Sequence, residues 1–152
     1  VKRSRGSAHQ ERHCPIGKDP DGATALRGFR IHAEQGNAIA LFNLGFAYTV
    51  GEGVPQDHAE AARWYRRAAE QGDADAQFAL GLMYESGNGV AQNFVQAHKW
   101  FNLAASRLGA SDRDLRDTMV RGRDRVAARL SPTEIAEAQR LAREWQPEQA
   151  PD

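Results

Sequence analysis

The residues nearest to a chemical site in this sequence are His9, His13 and Cys14, the one place where imidazole and thiol side chains lie close together. A neighbouring imidazole and thiolate suit a soft metal, but a structural zinc site takes four ligands held in place. These three sit in "VKRSRGSAHQERHCPIGK", a polar stretch without apolar periodicity. Residues 1–21 therefore read as a disordered tail, and neither a metal nor a cofactor is expected. The pairs Gly51/Gly53 and Gly87/Gly89 suggest a dinucleotide-binding turn, yet each follows a helical pattern in place of a strand, and Gln56 or Gln92 stands at the third glycine position. The sequence has no Gly-x-Ser-x-Gly, no His-Glu-x-x-His and no phosphate loop ending in Gly-Lys-Ser/Thr, so no catalytic residue is assigned. His32, His58 and His98 fall singly on helical stretches and read as surface or packing residues.

Arg113, Arg116, Arg121, Arg123, Arg125 and Arg129 form the one basic run, which raises the question of an anion or nucleic-acid surface. Asp112, Asp114, Asp117 and Asp124 are interleaved with it. Asp112 with Arg116, and Asp117 with Arg121, have the spacing of pairs along a helix, so a solvated, salt-bridged face is expected, with Arg121 and Arg125 sharing a side. Over the whole chain 20 Lys plus Arg balance 20 Asp plus Glu, which removes the electrostatic case for nucleic acid. No apolar run approaches the roughly 20 residues needed to cross a bilayer, so membrane insertion is not expected either.

The elements that would position any site repeat. "AEQG" at Ala33 to Gly36 returns at Ala69 to Gly72, an offset of 36 residues. The same offset lays Leu44, Gly45 and Tyr48 on Leu80, Gly81 and Tyr84, and Gly51, Gly53 and Val54 on Gly87, Gly89 and Val90. It also lays Trp64, Tyr65, Ala68 and Ala69 on Trp100, Phe101, Ala104 and Ala105. Run backwards, it makes residues 22–36 the second half of an earlier unit in which Gly28 replaces the tryptophan. Residues 37–72 and 73–108 are then full units.

Within a unit, Ala40, Leu44 and Tyr48 recur every four residues and mark a first helix. "VGEGVPQD" breaks it, and Asp57 with Glu60, or Asn93 with Gln96, has the pattern of a capping box that opens the second helix. Gly36 and Gly72 close the second helices, and Asn37 or Asp73 caps the next first helix. Gly45 and Gly81 lie inside helices, where glycine costs about 1 kcal/mol relative to alanine. A close approach by the tryptophan or tyrosine of the paired helix would compensate.

The runs "NAIALFNLGFAYTVGEGVPQDHAEAARWYRRAAEQG" and "DADAQFALGLMYESGNGVAQNFVQAHKWFNLAASRL" resemble the Sel-one-like repeats, relatives of the tetratricopeptide repeats, over residues 22–108. The resemblance implies an all-α fold, a right-handed α-α superhelix of antiparallel helix pairs whose first helices line the concave face. It also implies a noncatalytic scaffold or adaptor that binds another protein or peptide. Relatives linked to β-lactam binding or hydrolysis are rich in disulfides, whereas this chain has one cysteine and no Ser-x-x-Lys. A targeting or regulatory fragment of a larger protein is the other alternative, motivated by the half unit and by Val1.

After Leu108 the period fails, and residues 109–147 read as C-terminal capping helices covering the apolar end of the stack. Their stripes are Leu115, Met119, Gly122, Val126 and Leu130, then Ile135, Ala138, Leu141 and Trp145; Ser131, Pro132 and Glu134 open the second. Residues 148–152 read as a tail. The closing "AEAQRLAREW" resembles bacterial members of the family.

Ile39, Phe42 and Phe46 stand opposite the buried stripe of the first helix, and Phe78 and Leu82 hold the equivalent positions of the next unit. These five, with Asn43 as a hydrogen-bonding side chain, are the candidate partner-binding residues. Packing between neighbouring units is the competing account of the same apolar residues. The short stack and its exposed first unit also point to a weak homodimer. A lone cysteine suits a reducing compartment such as the cytoplasm, and a periplasmic location would require a leader ahead of Val1.

Overall fold

The structure, a computed structural model, describes residues 22–148, so His9, His13, Cys14 and the 1–21 segment lie outside the described residues. Seven α-helices follow in order among those described: α1 (Gly22–Glu34), α2 (Ala38–Val50), α3 (His58–Glu70), α4 (Ala74–Ser86), α5 (Phe94–Arg107), α6 (Arg113–Ala127) and α7 (Pro132–Glu144). A single 3₁₀ turn, Ala110–Asp112, precedes α6. The chain is an α-α superhelix of antiparallel pairs: α3 packs between α2 and α4, and α5 between α4 and α6.

The same local chemistry is written twice. Asn37 and Asp73 accept the amides of Ala40 and Ala76 and start α2 and α4. Gly36 and Gly72, at φ 85° and 95°, take the left-handed conformation that turns the chain out of the preceding helix. Their amides donate to Ala33 and Ala69, while those of Asn37 and Asp73 donate to His32 and Ala68. Gln56 Nε2 donates to the Thr49 carbonyl, and Gln92 Nε2 to that of Glu85, both at 2.9 Å.

One expected device is half made. Asp57 and Asn93 accept the amides of Glu60 and Gln96, but the return bonds of a capping box do not form. The reason is competition: the Asp57 and Asn93 amides already donate to the Tyr48 and Tyr84 carbonyls at 2.9 Å, which ties each second helix to the first. Among the described residues, only Ser131 and Glu134, at the start of α7, close both bonds.

The helix glycines are places of contact. A Cβ built on Gly45 would lie 2.7 Å from the Tyr65 ring, and one on Gly81 would lie 2.7 Å from Phe101. The neighbour is thus the tyrosine or phenylalanine, and the adjacent tryptophan points elsewhere. Phe101 is pressed from its other side by α6, where a Cβ on Gly122 would meet it at 3.3 Å. Phe42 and Phe78 lean on Tyr65 and Phe101 at centroid distances of 5.4 and 5.5 Å.

Successive units are also stitched by polar contacts. Arg30 donates to the Tyr48 hydroxyl at 3.1 Å, and Arg66 to that of Tyr84 at 2.7 Å. At the next step Asn102 replaces the arginine and accepts from Arg123 of α6 at 3.3 Å. The Ala33 carbonyl is met by Arg67 and the Ala69 carbonyl by buried Gln77, so buried acceptors at both unit boundaries have donors.

The period ends where Leu108 replaces the closing glycine. Leu108 is extended (φ −84°, ψ 135°) and makes no left-handed turn. The open carbonyls of Leu108 and Gly109 are taken by Arg116 at 2.7 and 2.8 Å, which is why Arg116 does not pair with Asp112. Arg121 reaches Thr118 and not Asp117, and Arg125 forms a two-pronged pair with Glu85 of α4. Met119, Gly122 and Val126 of α6 are buried, whereas Leu115, in the first turn, is 40% exposed and lies off the stripe. Helix α7 turns away from α6 and lies against α5, burying Ala138 and Ala142.

Gly81→Ala is expected to lower stability by about 1–3 kcal/mol, because the overpacked ring is held from both sides and outweighs a helix-propensity gain of about 1 kcal/mol. Gly28→Ala, with no atom within 4 Å of the new Cβ, should instead raise stability by about 0.5–1 kcal/mol. Urea melts of the two variants against the parent chain check both signs.

Candidate functional site

Helix α2 presents Ile39 (53% exposed) and Val50 (45% exposed) to solvent, with Phe42 and Phe46 half-buried between them. On α4, Leu82 is 39% exposed and Phe78 is half-buried. Phe42 and Phe78 each pack on the core ring beneath and stay partly exposed, and Phe78 also touches the cluster that holds Met119. Asn43 is buried at 6% exposure, with its Oδ1 lacking a hydrogen-bond partner. The structure thus brings Ile39, Phe42 and Phe46 to one helix face, repeats the face in part with Phe78 and Leu82, and tucks Asn43 under the rim.

Val50 is a member that sequence reasoning missed. It stands four residues after Phe46 and directly before Gly51, so the loop pattern that starts there hides its place as the last residue of α2. The face is not uniform along the stack. Ile39 gives way to Asp75 in the next unit and Val50 to Ser86, so the apolar character is concentrated on α2.

The perturbed titratable groups lie elsewhere. Burial raises the Tyr65 hydroxyl, opposed by the Thr49 hydroxyl 3.3 Å away. Burial lowers Lys99, whose ammonium sits 4.4 Å from the centre of the Trp100 ring, and burial also raises Glu70, helped by Glu148. His98 is buried in α5 with Nδ1 unpartnered. Burial pushes its pKa down, Arg123 adds to this and Asp124 opposes it. Glu70 and Lys99 act on each other's charge and each opposes the effect of burial on the other, whereas neither Tyr65 nor His98 is among their partners.

Residues 38–73 and 74–107 each match the family model described as Sel1 repeat. The chain carries two Sel1 repeats. Among solved structures, the Sel1 repeats here are similar to a protective antigen present in uropathogenic Escherichia coli strains that displays an SLR fold. That likeness has 36% identity and a TM-score of 0.73 over 81% of this chain and 25% of the antigen, so the chain spans a quarter of the antigen's length. A Sel1 repeat protein from Oxalobacter formigenes is 37% identical with a TM-score of 0.56, over 57% of this chain and 66% of that one. No curated protein matches the chain. Among the described residues, no helix of this Sel1 repeat protein is long and apolar enough to cross a membrane.

His98 stands where the first Sel1 repeat has Ala62, and it makes stability depend on pH. The unfolded chain binds a proton near the ordinary histidine value of 6.5, while the folded chain resists it to lower pH. The unfolded state therefore holds more protons in that window, and stability falls as pH drops below about 6.5. His98→Ala should flatten this slope while lowering stability at neutral pH through the space it leaves. Denaturant melts across pH 5–8 read both effects, and an unchanged slope would show that His98 is not the group responsible.

Proposed function

We propose that this Sel1 repeat protein is a noncatalytic interaction module, a scaffold or adaptor, that receives an apolar segment of another protein on the outward faces of α2 and α4. Sel1 repeats are typically protein-interaction modules, which supports the general class. The observation that carries the particular face is the exposure of Ile39, Val50 and Leu82, beside the outward edges of Phe42, Phe46 and Phe78.

Covering apolar surface is favourable by about 25 cal/mol per Å², and the rings beneath are already fixed by the core, so little side-chain freedom remains to be lost on binding. Ile39 and Leu82 are the first contacts in this reading, with the aromatic edges forming the floor. Asn43 joins only when its amide turns outward toward a partner backbone, which would also give its Oδ1 a donor.

The exposed aliphatics are the residues to change, since Phe42 and Phe78 are shared with the core. The double variant Ile39→Glu/Leu82→Glu should keep its folding stability within about 1 kcal/mol, as surface substitutions do. It should lose the partner that the parent chain captures from an extract of its source cells. Equal recovery by the two proteins would reject this face as the binding surface.

A further inference from the structure

The place in the period held by Trp64 on α3 and Trp100 on α5 is held by Gly28 on α1. A Cβ built on Gly28 would have no atom within 4 Å, so the helix backbone is open to close approach there. Three residues on, Ile31 is 56% exposed, the highest value of any large apolar side chain among the described residues. Its equivalents in the later units are Arg67 and Leu103. Arg67 lies over the Trp64 ring and donates to the Ala33 carbonyl, whereas Leu103 is buried in one apolar cluster with Ala142 of α7. Where this position is aliphatic and covered, then, a second helix covers it with a small residue. Helix α1 packs along α2, toward which it turns Leu26, Phe29 and Ala33, so Gly28 and Ile31 lie on its far side.

We propose that this far side of α1 is the contact between two copies of the chain, with the two α1 helices antiparallel about a twofold axis and Ile31 of each seated over Gly28 of the other. The helix is self-complementary in shape. It carries an aliphatic knob and an open hollow about one turn apart, and an isologous pair uses each of them twice.

It is also self-complementary in charge. Arg27 and Glu34 are exposed, lie on one flank of Ile31, and neither side chain is paired among the described residues. A twofold axis near residue 30 brings Arg27 of each copy beside Glu34 of the other and closes two ion pairs at the rim. Arg30, next to the axis, is turned aside to the Tyr48 hydroxyl and does not meet its own copy. With 20 positive and 20 negative side chains, the chain has no net charge to hold copies apart. The 13 residues of α1 span about 20 Å, and a contact of one such helix falls below about 1,200 Å², so the pair is transient. It is separate from the α2–α4 face and does not rest on the function proposed for that face.

Sedimentation equilibrium of the full chain from about 10 µM to about 1 mM reads this association. The parent is expected to pass from one chain toward two across that range. Ile31→Arg, which writes the residue that α3 carries at this place, should weaken association about tenfold while leaving urea melts of the dilute chain unchanged. Arg27→Glu and Glu34→Arg should each weaken it several-fold, because like charges then face each other across the axis. Equal mixing of those two variants should restore it, since the hetero-pair regains both ion pairs. The double variant Arg27→Glu/Glu34→Arg, whose net charge is that of the parent, should restore it too. A parent that stays a single chain throughout would overturn the proposal, as would Ile31→Arg associating like the parent, or no recovery in the mixture and the double variant. A different protein held by a monomeric parent and lost by Ile31→Arg would assign this side of α1 to that protein and overturn the pairing of copies.

Discussion

An aromatic ring laid directly on a helix glycine sets the spacing of this molecule. Tyr65 on Gly45 and Phe101 on Gly81 bring paired helices closer than any residue with a Cβ would permit. Other contacts depend on that distance. The Tyr48 and Tyr84 carbonyls come within reach of the Asp57 and Asn93 amides, and Thr49 comes within 3.3 Å of the Tyr65 hydroxyl. In the last pair the principle is extended, because Phe101 is flanked by Gly81 on one helix and Gly122 on the next. Glycine's poor helix propensity is therefore the local cost of a shared interface, offset by the packing of a whole ring.

The repeat, its helices and their caps were legible because they rest on residues close in sequence. A capping side chain reaches three residues ahead and a closing glycine acts on its own turn. What was not legible depends on a third group from further away. Asp57 with Glu60 satisfies the letters of a capping box, but the helix before it takes the amide that the box needs. Arg116 has the spacing to meet Asp112, yet the carbonyls left open by the missing glycine at position 108 are nearer. The path of α7 shows the same limit: its buried side follows from its pattern, while the choice of α5 over α6 is a matter of which surface lies uncovered.

The candidate face divides along the same line. The four-residue period in α2 and α4 separated the core stripe from Ile39, Phe42, Phe46, Phe78 and Leu82, and Ile39 and Leu82 stand out to solvent. It could not show that Phe42 and Phe78 each serve two surfaces, because that follows from where Tyr65 and Phe101 lie. Nor could it show that Asn43 sits inward. The matched tryptophans are the sharper case. Trp64 and Trp100 are the same letter at the same place in the period, yet Arg67 lies over the first while Lys99 and the returning α7, through Trp145, meet the second.

That return gives the stack a direction of growth. Because α7 is seated on α5 and anchored by way of Glu148 to the end of α3, the final repeat and its closing helices behave as one bookend. A new repeat inserted upstream of α3 would leave every bookend contact in place. One added beyond α5 would first have to evict α7. A repeat is therefore accommodated upstream of α3 and opposed directly on the side of α5 that α7 holds.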